Sequence, residues 1–295
     1  MKLTDYFECE SIKREGYFEN LGHCISTCNN MLTFIDDENY IDDINNNTKV
    51  TSVICTKSIF LKLKRKNIGV VISEKPRYDF FDLHNNLGSF QQKENIISPS
   101  ANIAKSSIIS GNNIKIGKNV VVEDFVVIKS NTTIGHNSVI GQGCIIGNDG
   151  YEYKRNGNEI LKVNHYGRVN IGENVELKEY VTIHKSVFTW DETKIDDNCK
   201  VDAHTHIAHG SKIGRNVLIG SHSNIAGNVF IDNHSYIGPS VTVSNRIEVL
   251  ENSKLTIGSV VTKNTSKNQQ VTGNFAIDHK SFLNNLKKIR GDYNE

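Results

Sequence analysis

The residue best suited to chemistry in this sequence is a histidine in the stretch KVDAHTHIAHGSKIG, residues 200–214. A neutral imidazole can take a proton near physiological pH from an amine that must become a nucleophile. His209 follows the aliphatic Ile207 by two positions, which favours a turn where the ring can reach a groove. Asp202 lies a little earlier and could hold the ring in one tautomer. His209 is therefore the candidate base and Asp202 its candidate partner, the alternative being plain polar surface.

Two histidines of this stretch, together with His184, allow a second chemistry, in which converging imidazoles bind zinc as in the γ-carbonic anhydrases. His184, His204 and His209 could supply the three ligands that a catalytic zinc needs beside one open position. However, His204 and His209 stand at different phases of the repeat described next, which does not aim both rings at one point. A metal-dependent hydratase is thus the alternative enzyme class, and we expect no metal ligands in this site.

The elements that must position these residues show a six-residue repeat. Aliphatic residues recur at every sixth position at Ile195, Val201, Ile207, Ile213, Ile219, Ile225, Ile231, Ile237, Val243 and Val249. The same frame occurs earlier at Ile116, Val122, Ile128, Ile134, Ile140 and Ile146, and again at Ile171, Leu177 and Ile183. This period is typical of a parallel β-helix, in which neighbouring coils bury each other's aliphatic side chains. The repeat itself does not fix the handedness, although crossover rules alone favour a right-handed coil.

Two insertions interrupt the repeat, and loops on a rigid scaffold are where binding groups concentrate. The first is a polar and aromatic excursion between residues 147 and 170, and the second is HKSVFTWDETK, residues 184–194. We expect side chains of the first insertion to bind a sugar and its diphosphate, the alternative being packing against a neighbouring subunit. They are Tyr151, Tyr153, His165, Tyr166 and Arg168.

The chain outside the repeat predicts a small domain and a terminal helix. Residues 1–92 alternate Val- and Ile-rich runs with helix-like stretches, which indicates an α/β domain. Near the other end, apolar residues at helical spacing with basic residues outside predict one helix over residues 278–289.

The bulk composition excludes several functions. The formal net charge is +1 and no long basic run occurs, which argues against nucleic acid as a partner. No apolar run is long enough to span a membrane, and the first residues are too charged for a signal peptide, so we expect a cytoplasmic protein.

Four segments carry a resemblance to a known family. They are residues 200–214, the insertion IGNDGYEYKRNGNEILKVNHYGRVNIG, MLTFIDDENY and VVISEKPRYDFFDL. In these segments the chain resembles the left-handed β-helix acyltransferases, and among them the UDP-3-O-acylglucosamine N-acyltransferases of lipid A synthesis. The resemblance implies a left-handed coil, with His209 as general base and Asp202 near it. It also implies that Phe34, Asp37 and Tyr40 contact a nucleobase, the alternative for Phe34 and Tyr40 being packing in the core of the small domain.

Several departures from that family favour a relative that modifies another amino sugar. Asp37 stands where the family usually has Asn, and Asn245 where the lipid A enzyme often has a second His near the pantetheine arm. The ending GSVVTKN followed by TGNFA is more similar to CoA-dependent sugar acetyltransferases. Lys263 in this ending is a candidate contact for CoA phosphates, the alternative being a solvated surface lysine. For the oxyanion we expect a backbone N–H, from Gly227 or alternatively from Gly210.

These features predict a mainly β protein with three parts. Residues 1–92 form a small α/β nucleotide-binding domain, 93–265 a left-handed parallel β-helix acyltransferase domain, and 266–295 an extension with one short helix. We expect a homotrimer that transfers an acyl group from acyl-CoA or acyl carrier protein to a nucleotide-linked amino sugar, for lipopolysaccharide or a surface polysaccharide such as O-antigen. The alternative acceptor is UDP-3-O-(3-hydroxyacyl)glucosamine, with acyl carrier protein as donor. No tightly bound cofactor is expected.

Overall fold

The computed structural model describes residues 1–88, 92–273 and 276–290. Its first part is a five-stranded sheet with helices, in the order β1 (Ile12–Arg14), β2 (Asn20–Leu21), β3 (Met31–Ile35), α1 (Ile41–Asn46), β4 (Val50–Cys55), α2 (Lys57–Lys62), β5 (Gly69–Ile72) and α3 (Pro76–Leu87). Short 3-10 turns lie at Leu3–Asp5 and Glu38–Tyr40. The strand order is β1-β5-β4-β3-β2, parallel except for β1 at one edge. The predicted α/β fold of this part is confirmed.

The sequence of this small domain explains its elements. Strands β3 and β4 are rich in aliphatic residues and almost wholly buried, as parallel strands between covering layers are. Helix α3 begins with Pro76, whose missing N–H is not needed in a first helical turn. The helix buries Phe80 and Phe81 beside the Phe34 ring of β3. This aromatic cluster fixes the end of β3, where the candidate nucleobase contacts begin.

From residue 96 the chain winds into a coil with three parallel faces. Face 1 contains Ile96–Ile97, Lys115–Ile116, Thr132–Ile134, Arg168–Ile171, Glu192–Ile195, Lys212–Ile213, Phe230–Ile231 and Glu248–Val249. Face 2 contains Asn102–Ile103, Val121–Val122, Val139–Ile140, Glu176–Leu177, Lys200–Val201, Leu218–Ile219, Tyr236–Ile237, Lys254–Leu255 and Gln270–Val271. Face 3 contains Ile108–Ser110, Val127–Lys129, Ile145–Asn148, Thr182–His184, His206–Ile207, Asn224–Ile225, Thr242–Val243 and Val260–Val261.

The repeat accounts for the geometry of the coil. Ile207 pairs with Ile225, and Ile225 with Val243, so that one coil takes 18 residues. All three side chains are buried, because each inward aliphatic stacks on its counterpart one coil away. Asn occupies most corner positions with positive φ, since its short polar side chain tolerates the left-handed region.

Both insertions pack against the small domain. The excursion forms an antiparallel hairpin, Tyr153–Asn156 with Glu159–Lys162. In the second insertion, Phe188 is buried against the aromatic cluster of the small domain, and the Trp190 indole donates a hydrogen bond of 2.8 Å to the Leu21 carbonyl. These contacts hold the small domain against one corner of the coil.

The end of the chain carries one helix, as predicted. The last strand of face 2 ends at Val271, beyond the expected boundary at residue 265, and helix α4 spans His279–Arg290. None of its side chains is buried. No helix in the described ranges is both long and apolar enough to cross a membrane.

Candidate active site

The predicted residues of the coil converge at one corner. His209 lies between the face 3 strand His206–Ile207 and the face 1 strand Lys212–Ile213. Gly227 and Asn245 follow at intervals of 18 residues, so they occupy the same corner in the next two coils. The two insertions leave the coil at this corner as well, because both connect a strand of face 3 to one of face 1.

This corner forms one wall of a cavity of about 460 Å³ between the coil and the small domain. Six predicted residues line it, namely Phe34, Tyr40, Tyr151, His209, Gly227 and Asn245. The first two come from the end of β3 and the following turn, and Tyr151 comes from the excursion. The cavity is therefore built by three separate parts of the chain.

His209 is paired with a carboxylate inside this cavity. Its Nε2 atom lies 3.3 Å from Oε2 of Glu152, and the other oxygen of Glu152 is paired with the Lys154 ammonium. Burial pushes the pKa of Glu152 upward, but the hydrogen bond from His209 and the Lys154 charge outweigh it and lower the pKa to about 2. An ionised carboxylate can only accept a hydrogen bond, so Nε2 of His209 is the donor in this pair and Nδ1 is the ring nitrogen that remains for a substrate. This arrangement suits a general base.

Further imidazoles pack beside His209. The ring centroids of His165 and His209 lie 5.5 Å apart, and those of His184 and His206 lie 4.6 Å apart. Burial, and after it the nearby His209, lower the pKa of His165 to about 4. Burial and then His206 lower the pKa of His184 to about 4 as well. Both rings are thus neutral at physiological pH, and of these four imidazoles His209 is the one that lines the cavity.

The far end of the cavity has features that suit a flat ring. Phe34 and Tyr40 line it, and the Arg77 guanidinium lies 5.6 Å from the Phe34 ring centroid. Arg77 also forms two hydrogen bonds of 2.9 Å with the Asp36 carboxylate. Asp37, the predicted nucleobase contact, instead accepts a hydrogen bond from the Asn39 N–H at the start of a 3-10 turn. The structure therefore brings Asp36 into the cavity and leaves Asp37 outside its lining.

Asp202, the predicted partner of His209, does not lie beside it in this chain. Asp202 is exposed and accepts a hydrogen bond of 2.8 Å from the Ala203 N–H. It follows a strand of face 2 and so lies at the corner before face 3, whereas His209 lies at the corner after it. Glu152 takes the position beside His209 that the sequence assigned to Asp202.

Of the two candidates for the oxyanion donor, Gly210 donates its N–H to Thr193 Oγ1, so Gly227 remains as the candidate.

The other excursion residues and Lys263 lie outside the cavity lining. Tyr166 donates its hydroxyl hydrogen to the Asn85 carbonyl and so connects the first insertion to α3. Arg168 donates to the Trp190 carbonyl and so connects the two insertions to each other. His165 is buried behind the cavity wall. Tyr153 is on the exposed hairpin, 4.9 Å from the Tyr151 ring, and Lys263 is exposed near the last coil.

Of the three residues of the zinc alternative, His184 lies near His209, but His204 does not. His204 lies at the corner between faces 2 and 3, where its ring stacks on Tyr180 at 5.1 Å and contacts His222 at 4.9 Å. Across residues 1–88, 92–273 and 276–290, no group of three or more His, Cys, Asp or Glu side chains is placed to hold a metal ion.

Sequence reasoning missed several residues of the cavity, including Glu152, His23 and Arg246. Arg246 follows Asn228 by one coil, so the 18-residue period could have found it. No spacing rule joins Glu152 to His209, because one lies in an insertion and the other in a regular coil.

Comparison with known proteins agrees with this architecture. Residues 113–148 and 192–227 match the model of the bacterial transferase hexapeptide (six repeats). The UDP-3-O-acylglucosamine N-acyltransferase of Acidovorax sp. (strain JS42) is 37% identical over 130 residues, which are 44% of this chain and 39% of that relative. The one from Dechloromonas aromatica (strain RCB) is 38% identical over 68 residues, 23% of this chain and 19% of the relative. The hexapeptide-repeat chain thus spans between about a fifth and two fifths of these relatives' length.

A solved structure supplies the handedness of the hexapeptide coil. The UDP-N-acetylglucosamine acyltransferase of Francisella novicida matches with a TM-score of 0.51 and 26% identity, over 68% of this chain and 76% of that chain. The coil is a left-handed β-helix, as predicted from the resemblance and against the preference of general crossover rules. The resemblance to the left-handed β-helix acyltransferases is confirmed.

Proposed function

We propose that this hexapeptide-repeat protein transfers an acyl group from a thioester to the amino group of a nucleotide-linked amino sugar. The observation that carries the proposal is the pair formed by His209 and Glu152 in a cavity shared by the coil and the small domain. Acyl transfer to an amine needs a base, a place for the thioester carbonyl and a donor for the oxyanion. The cavity offers His209 as the base and the Gly227 N–H as the oxyanion donor.

In the proposed reaction the amine nitrogen attacks the thioester carbonyl carbon. His209 Nδ1 takes the proton that the nitrogen loses, and Glu152 stabilises the resulting imidazolium. The backbone N–H of Gly227 is the proposed donor to the oxyanion, since Gly227 lies against the His209 ring. When the carbon–sulfur bond breaks, His209 returns the proton to the leaving thiolate. A new amide and a free thiol result, and the base is regenerated.

The small domain supplies the proposed nucleotide site. Phe34 and Tyr40 offer aromatic surfaces to a nucleobase, and the paired Asp36 and Arg77 present both acceptors and donors beside them. The nucleotide would then lie on the small domain while its sugar reaches the coil. That placement brings an amino group of the sugar toward His209.

The names of the relatives favour UDP-3-O-acylglucosamine as the acceptor, rather than the amino sugar of another surface polysaccharide that the sequence departures suggested. With that acceptor, acyl carrier protein is the proposed donor and acyl-CoA the alternative. The proposed assembly is a homotrimer.

A substrate panel tests the proposal. The protein is incubated with UDP-, dTDP- and GDP-amino sugars and with UDP-3-O-acylglucosamine, each with acetyl-CoA, a 3-hydroxyacyl-CoA and a 3-hydroxyacyl carrier protein, and amide products are detected by mass spectrometry. His209→Asn should lower kcat by about 10²- to 10⁴-fold, the usual contribution of a general base. His222→Asn is the matched control, because His222 is exposed at a different corner and Asn tolerates its positive φ. Absence of an amide product from every pair, or a normal rate in His209→Asn, would refute the proposal.

A further inference from the structure

One cation of the active-site cavity has no carboxylate partner. Two of its three lining cations are paired, Arg77 with Asp36 and Lys154 with Glu152. The third is Arg246, whose side chain forms no ion pair or hydrogen bond within residues 1–88, 92–273 and 276–290. The cavity therefore has a positive charge available for an anionic ligand.

The backbone at Arg246 is unusual for this side chain. Its φ is +60°, in the left-handed region that Asn occupies at most corners of this coil. It stands one coil after Asn228 and two coils after Gly210, at the same corner position. A long cationic residue is disfavoured there, and such local conflicts concentrate at functional sites.

Arg246 also lies at a suitable height in the cavity. It is two coils beyond the level of His209, which at a strand spacing of about 4.8 Å is roughly 10 Å along the coil axis. A guanidinium at that height can hold a phosphate while the attached sugar extends to His209. Burial, and after it the Arg246 charge, lower the pKa of the neighbouring His23 to about 3, so that ring is neutral and adds no charge.

We infer that Arg246 binds the diphosphate of a nucleotide substrate and thereby positions the sugar at His209. This inference rests on the proposed function and names a further binding residue for it. Guanidinium groups form paired hydrogen bonds with phosphate oxygens, which makes Arg well suited to this role. A phosphate also occurs in CoA and in the pantetheine arm of a carrier protein. The nucleotide is the better fit, because the aromatic contacts Phe34 and Tyr40 line the same cavity.

Direct binding tests the inference without requiring turnover. Titration calorimetry measures the affinity of the full-length protein and its Arg246→Gln variant for UDP, dTDP and CoA. Loss of a charge-assisted contact should raise Kd for at least one nucleoside diphosphate by about 10- to 100-fold, with Kd for CoA changed less than about twofold. Arg215→Gln is the control, because Arg215 is an exposed coil arginine outside the cavity lining. Arg246→Lys should recover part of the affinity.

Three outcomes would overturn the inference: unchanged nucleotide affinity in Arg246→Gln, a loss confined to CoA, or an equal loss in Arg215→Gln. Failure of the proposed function is separately visible. If no amino sugar is acylated but nucleotide binding depends on Arg246, the phosphate site is supported and the proposed acyl transfer is refuted. If acylation occurs but the Kd for nucleotides is the same with and without Arg246, the acyl transfer stands and the phosphate site is refuted.

Discussion

His209 Nε2 lies 3.3 Å from Oε2 of Glu152, although the two residues reach this contact from different parts of the fold. His209 belongs to a regular corner of the coil, whereas Glu152 is in the excursion that leaves the same corner. In the proposed mechanism the coil thus supplies the base, and an insertion supplies the group that orients it.

Replacing Glu152 with Gln should lower kcat strongly and leave the fold intact. The amide nitrogen can donate to His209, which would turn the ring or fix the other tautomer and remove the lone pair from Nδ1. We expect kcat to fall by about 10²- to 10⁴-fold with a small change in KM, measured by steady-state kinetics. Asp202→Asn should change kcat less than about twofold. The opposite ranking of these two variants would restore Asp202 as the partner and remove Glu152 from the mechanism.

Gly150 should be sensitive to the addition of one methyl group. A Cβ there would lie 3.0 Å from His165 Nε2, 3.0 Å from His209 Cδ2 and 3.4 Å from His184 Nδ1. The rings must shift to accept it, and overpacking of this kind typically costs about 1–3 kcal/mol. Gly150→Ala should therefore lower both the midpoint of thermal unfolding and kcat.

The matched control for that variant is Gly157→Asn in the hairpin turn. Gly157 has a φ of +56°, and no atom of the described residues lies within 4 Å of its Cβ position, so Asn fits without displacement. It should retain the kcat and Tm of the parent protein. A Gly150→Ala protein with normal kinetics would show that the imidazole cluster tolerates movement of His209.

The coil could be predicted from sequence because its geometry requires particular residue types at regular intervals. Inward positions such as Ile207 and Ile225 must be aliphatic to stack, and the corners must accept a left-handed backbone, which leaves a regular signal. The handedness needed the resemblance, since the six-residue period is the same in either hand. The part of the candidate site that the repeat alone could predict is the corner of the coil that contains His209, Gly227 and Asn245.

The rest of the site could not be predicted because it depends on contacts between distant segments. Glu152 reaches His209 only through the path of the excursion, and that path is set by its packing on the small domain. The difference between Asp36, which lines the cavity, and Asp37, which does not, is local. Adjacent residues after a strand point in different directions, and the turn that begins at Asp37 uses its carboxylate as a cap.

The second insertion should stabilise the contact between the small domain and the coil. Trp190→Phe removes the hydrogen bond to the Leu21 carbonyl but keeps an aromatic ring stacked on Phe188. We expect a loss of about 0.5–1.5 kcal/mol in the free energy of unfolding, the usual net value of one hydrogen bond. Phe188→Ala should cost more, about 3–5 kcal/mol, because Phe188 is buried. Denaturant titration measures both, and equal losses would mean that the aromatic packing contributes little.

The buried imidazoles should make stability depend on pH below neutrality. The pKa of His165 is lowered from 6.5 to about 4, mainly by burial, so in the unfolded chain this ring binds a proton at a higher pH than in the folded protein. Between about pH 6.5 and 4 the unfolded state therefore holds more protons, and the free energy of unfolding decreases as the pH falls through that window. For one ring the decrease is at most about 3 kcal/mol.

His165→Gln should show a shallower decrease in the free energy of unfolding than the parent protein in denaturant titrations at pH 7.5, 6 and 5. His222→Gln, at an exposed corner, should keep the parent slope. Identical slopes in all three proteins would mean that His165 titrates alike in the folded and unfolded states.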